Sequence, residues 1–112
     1  MNNKIKLTFV VSDALNNDLK LQVIKDGYGL RGKSKWVAEA VEKFLALSNF
    51  PELVHYSDSM QGFQCVETVV VPRDLKQKID AAIFTVRQSY PLSEGVQSSL
   101  LRTAIIHRLL IS

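Results

Sequence analysis

One strand–helix–helix pattern is written twice in this chain of 112 residues. Ile5-Lys6-Leu7-Thr8-Phe9-Val10-Val11 carries apolar residues at every second position and runs into Ser12-Asp13-Ala14-Leu15. Cys65-Val66-Glu67-Thr68-Val69-Val70-Val71 runs in the same way into Pro72-Arg73-Asp74-Leu75. Each is followed by a turn and a second, more apolar segment, Lys33 to Leu47 and then Val96 to Ile111. Period two predicts half-buried strands, and recurrence at three and four residues predicts helices. A unit of about 45 residues buries too little surface to be stable on its own. Two copies that pair their strands can share one core. The expected fold is mainly α with a two-stranded antiparallel β-ribbon.

Within the first strand, Ile5, Leu7, Phe9 and Val11 are expected to face the helices, and Lys4, Lys6, Thr8 and Val10 to face outward. Ser12 suits an N-cap, and Asp13 suits the positive end of the helix it opens. Leu15, Leu19 and Val23 or Ile24 recur at helical spacing, and Gly27-Tyr28-Gly29 ends that helix. Trp36, Val37, Ala40, Val41, Phe44 and Leu45 form the apolar stripe of the next.

An offset of 60 residues superposes the second strand on the first: Thr68 on Thr8, Val71 on Val11, Leu75 on Leu15. Its outward set is Val66, Thr68 and Val70. Its inward set includes Glu67, an acid that is costly to bury unless paired; a frayed strand end or a lysine of the first strand would relieve it. In the second helices Ser98 falls where Ser34 does, and Ala104 where Ala40 does.

This order and spacing resemble the ribbon-helix-helix family of DNA-binding proteins (the Arc/MetJ-like superfamily), in which two such units meet as a dimer. Here both units lie on one chain, a tandem ribbon-helix-helix (β-α-α-linker-β-α-α) forming an intramolecular pseudo-dimer. Residues 4–47 are the first unit, 48–64 the linker and 65–112 the second unit of a single domain. The resemblance implies sequence-specific double-stranded DNA binding with the ribbon in the major groove. Base contacts then fall to Lys4, Lys6, Thr8, Val10, Val66, Thr68 and Val70. The family holds phosphates at the start of the second helix, where free N–H groups favour an anion. That role falls to Arg31, Gly32, Lys33, Ser34 and Lys35, and in the second unit to Gln97 and Ser98. Lys4 and Lys6 also suit the solvated face of an edge strand, and Lys33 and Lys35 suit plain surface.

Charge agrees with such a partner without demanding it. The net charge is +3. Residues 1–47 carry eight Lys/Arg against five Asp/Glu, residues 65–112 six against four, and the linker only Glu52 and Asp58. Both units are basic and the linker is acidic. Phe50, Leu53, Val54 and Tyr56 predict a helical turn within it.

Other functions find little material. A single cysteine, Cys65, and two separated histidines, His55 and His107, match no zinc spacing and no catalytic triad. Gly27, Gly29 and Gly32 match a G-x-G-x-x-G string, but it lies between two helices rather than after a strand. No enzyme, cofactor or small-molecule substrate is expected. No apolar run reaches the roughly 20 residues of a membrane span, and the start of the chain has no apolar signal region, so a cytoplasmic protein is expected. Tandem versions of the family resemble TraY-like accessory proteins of conjugative relaxosomes. A transcriptional repressor, with further copies of the chain on adjacent sites, fits equally. Ending at Ser112, soon after the last helix, the chain is a poorer match to an antitoxin-type autorepressor. A protein-interaction module that kept the fold without DNA is the reading from another class.

Overall fold

The two alternating segments pair with each other. In the computed structural model, which describes residues 3–29, 31–57, 62 and 64–111, β1 (Lys4–Ser12) and β2 (Gln64–Pro72) form one two-stranded antiparallel sheet. Among the described residues there are five helices: α1 (Asp13–Lys25), α2 (Lys33–Leu45), α3 (Phe50–Ser57), α4 (Arg73–Ser89) and α5 (Val96–Ile111). The chain is mainly helical, in the order β-α-α-α-β-α-α.

The register centres on one residue pair. Thr8 lies opposite Thr68, Lys6 opposite Val70, and Val10 opposite Val66. Inward residues Leu7, Phe9, Val11, Val69 and Val71 are buried, whereas Lys6, Thr8, Val66 and Thr68 are exposed. One ribbon face therefore carries the core and the other carries water. Trp36, Val37, Ala40, Val41 and Phe44 of α2 and Leu100, Leu101, Ala104 and Ile105 of α5 complete that core, with Leu19 and Val23 of α1 and Leu75 and Ile79 of α4. Burying such side chains stabilises a fold by roughly 1.5–3 kcal/mol each, and here the units supply them to one cluster.

Both strand-to-helix junctions have a local cause. The Ser12 hydroxyl accepts from the Leu15 N–H at 3.1 Å and caps α1. Pro72 holds an extended backbone before α4, and the following Arg73 N–H donates to the Asn3 carbonyl at 2.8 Å.

The linker departs from expectation. It holds a full two-turn helix, α3, rather than a single turn within a connecting segment. Pro51 sits in its first turn, where a missing N–H is harmless, and Val54, three residues on, is buried. α3 packs on α4 and α5. Linker residues 58–61 and 63 lie outside the described residues, as do Met1, Asn2, Leu30 and Ser112. α2 stops at Leu45, two residues short of the expected Leu47, because the Leu47 N–H turns back to the Phe44 carbonyl at 3.1 Å.

Candidate nucleic-acid interface

Lys4, Lys6, Thr8, Val10, Val66, Thr68 and Val70 stand together on the helix-free face of the ribbon, as the alternation predicted. Lys4, Lys6, Thr8, Val66 and Thr68 are exposed, and Val10 and Val70 are half-buried. At the centre the Thr8 and Thr68 hydroxyls are 3.3 Å apart and share a hydrogen bond. Val66 leaves 63% of its surface in water, although it sits in a regular strand.

The two outer edges of the ribbon are covered, each by a different second helix. The Ser34 hydroxyl of α2 accepts from the Val70 N–H at 2.9 Å on the edge of β2. The Ser98 hydroxyl of α5 accepts from the Val10 N–H at 3.1 Å on the edge of β1. Val70 follows Val10 by 60 residues and Ser98 follows Ser34 by 64, so one contact is built twice. Gln97 Nε2 adds a bond to the Thr8 carbonyl at 3.2 Å. These bonds give edge groups of a two-stranded sheet the partners that would otherwise be water or another chain. The hydroxyls of Ser34 and Ser98 and the amide of Gln97, candidates for phosphate, thus hold strand backbone.

Lys33 is also engaged. Its ammonium pairs with the Glu67 carboxylate, and both side chains are about one-fifth exposed, at 26% and 17%. This hydrogen bond holds the Glu67 carboxyl below its usual range, against burial, with the Lys33 charge adding to it. The buried-acid problem of the inward set is solved by α2. A first-strand lysine cannot do it, because Lys4 and Lys6 point to the opposite face of the ribbon. Behind Glu67, buried Asn16 donates to the Cys65 sulfur at 3.7 Å, and burial pushes the Cys65 thiol up.

The start of α2 is shaped by glycine. Gly32 is the N-cap, has no side chain to bond the helix amides, and a Cβ there would strike the Tyr28 carbonyl. Arg31 and Lys35 are exposed beside it, with the Lys35 ammonium 5.9 Å from the Tyr28 ring centre. Arg31, Gly32, Lys33, Ser34 and Lys35 therefore gather at the β2 edge, and Gln97 and Ser98 at the β1 edge.

Two arginines that sequence reasoning passed over organise this site. Arg102 is buried, 7% exposed, and donates to the Val10 carbonyl at 2.7 Å and to Ser99 Oγ at 3.2 Å. Its signal was a charged residue inside the apolar run Leu100 to Ile106, four residues after Ser98. Arg108 lies 4.4 Å from the Trp36 ring centre and donates to the Trp36 carbonyl at 2.7 Å and to the Tyr28 hydroxyl at 2.9 Å. It closes a cluster in which Tyr28 donates to Glu39 and Trp36 Nε1 donates to Asp26 at 2.7 Å. That cluster holds Tyr28, and with it the contact of Tyr28 on Gly32, against the start of α2.

Among the described residues no three His, Cys, Asp or Glu side chains gather as a metal would need, and no helix is long and apolar enough to cross a membrane. No family model matches this chain, and no curated protein or solved structure matches it either.

Proposed function

We propose that this chain is a tandem ribbon-helix-helix protein, an intramolecular pseudo-dimer that binds duplex DNA sequence-specifically through its ribbon. The observation that carries the reading is the doubled edge contact, Ser34 on Val70 and Ser98 on Val10. It is what a two-fold axis through the Thr8–Thr68 pair would generate, and it leaves one ribbon face bare. A major groove about 12 Å wide accepts such a ribbon. Lys6 donates to guanine acceptors, Thr8 and Thr68 bond or touch bases, and Val10, Val66 and Val70 pack on thymine methyls. Phosphates meet the start of α2, through Arg31, Lys35 and the helix amides, while Ser34, Ser98 and Gln97 position those helices from behind. The cellular role in this reading is that of a transcriptional repressor or a relaxosome accessory factor.

Selection from a randomised duplex pool at two salt concentrations tests the proposal. An enriched motif, with affinity falling steeply as salt rises, is the expected result. Absence of enrichment and of binding at low salt sinks it. The exposed Val66 favours one other reading, a protein-interaction module using the ribbon face, and that failure would turn attention to it.

A further inference from the structure

The two-fold pattern of the fold is not matched by its charges. Strand positions correspond at an offset of 60 and second-helix positions at 64. Lys4 and Lys6 then correspond to Gln64 and Val66. Arg31, Lys33 and Lys35 correspond to Gly95, Gln97 and Ser99. Five cations of the bare face and its flank have no cationic counterpart. Lys4, Lys6 and the start of α2 share one end, while the Lys33 ammonium reaches past the centre of the ribbon to Glu67, opposite Phe9. The start of α2 lies on the β2 edge at Val70, and Val70 lies across the ribbon from Lys6. The start of α5 lies at Val10, across from Val66, where the Arg102 guanidinium is buried on the Val10 carbonyl and Glu94 precedes the helix in sequence.

We infer, resting on the DNA reading above, that the target is a polar, non-palindromic duplex, with guanine under Lys6, thymine under Val10 and Val66, and phosphates gripped on the guanine side. The chemistry separates the halves. Lysine donates to the guanine O6 and N7 acceptors, and valine offers only apolar contact to a thymine methyl. Lys33 is already paired with Glu67, so Arg31 and Lys35 lead the phosphate grip. The spacing follows from matching periods: a strand rises ~3.3 Å per residue and a duplex ~3.4 Å per base pair, so Lys6 and Val10 address positions about four base pairs apart. One chain therefore sits on its site in one orientation only, which a symmetric dimer cannot do.

The test uses the duplex obtained by selection. Phosphate-ethylation interference on that duplex should map to the guanine half alone. Lys6→Ala, and Lys6→Met, which keeps the stem, should each lower the preference for guanine about tenfold and leave the thymine preference in place. Val66→Lys should remove the thymine preference under Val66, keep that under Val10, and bring phosphate or guanine contacts to that half. A palindromic selected motif, or interference spread evenly over both halves, overturns the polarity while leaving DNA binding intact. A pool with no enriched sequence overturns the DNA reading and this inference with it.

Discussion

The Ser34 hydroxyl accepts a hydrogen bond from the Val70 N–H at 2.9 Å, tying the first turn of α2 to the outer edge of β2. Ser98 repeats the bond on Val10 at 3.1 Å. Each ties a helix of one unit to the strand of the other. Ser34→Ala and Ser98→Ala should each cost ~1 kcal/mol, since each removes one partly buried bond. The sites lie on opposite edges of the ribbon, so the double variant should show additive losses. Urea unfolding followed by circular dichroism measures this, and a near-zero loss in both would show that water replaces the hydroxyls freely.

Arg108 joins α5 to the aromatic face of α2 and to the turn before it. Arg108→Ala removes the stacking on Trp36 and the bonds to the Trp36 carbonyl and Tyr28 hydroxyl. A loss of ~2–3 kcal/mol is expected, summing a charged hydrogen bond and a cation–π contact. Arg108→Lys should recover less than half, because an ammonium cannot lie flat on the ring while bonding two oxygens. Denaturant midpoints of the three proteins decide it.

Gly32 has no room for a methyl group. Alanine there would push against the Tyr28 carbonyl, which is backbone and cannot swing aside. Gly32→Ala should destabilise by ~1–3 kcal/mol through overpacking. Gly29, at φ 76° with open space around its Cα, is a backbone requirement instead. Gly29→Asn should therefore be better tolerated than Gly29→Ala, whereas no polar replacement rescues position 32. Thermal melts of these variants compare the two causes.

Acid should loosen the fold through two glutamates. The Tyr28 hydroxyl holds the Glu39 carboxyl below the usual 4.5, with Arg108 adding to it, and the Lys33 ammonium does the same for Glu67. A carboxyl that is more acidic when folded contributes stability above its unfolded value, and that stability drains away as pH falls through the folded value. The melting temperature should fall as pH drops from about 5 to about 3, and less steeply in a Glu39→Gln/Glu67→Gln double variant. An unchanged slope would remove these pairs from the account of stability.

The Lys33–Glu67 pair also sets a DNA prediction. Glu67→Gln releases Lys33 from its anion. Affinity for all duplexes alike should rise, with a salt slope steeper by about one. Lys35→Ala should act in the reverse sense, weakening binding uniformly and flattening the slope by about one. Fluorescence anisotropy across a salt series reads both, and an unaltered slope in Glu67→Gln would leave Lys33 a structural residue only.

Alternation and helical spacing determined the elements of this protein. Ile5 to Val11 and Cys65 to Val71 could be read as strands with a known buried face because side-chain direction in a strand is a matter of parity alone. Parity and the repeat left the register open by steps of two residues, and the packed chain centres it on Thr8 and Thr68. The α3 helix was half legible, since Phe50, Val54 and Pro51 fit a helix but too few positions repeat to define its length. What the side chains at the helix starts do was decided only in three dimensions. Ser34, Ser98 and Gln97 looked like ligands for an anion, and the folded chain turns them onto strand edges from the other unit. Lys33 looked like a surface charge or a phosphate ligand, and folding sets it against Glu67. Arg102 and Arg108 drew no reading from sequence, because their acceptors, 92 and 72 residues away, come into reach only in the fold. Periodicity is local and survives in one dimension. The partner of a polar group is fixed by distance in space, and only the packed chain sets that distance.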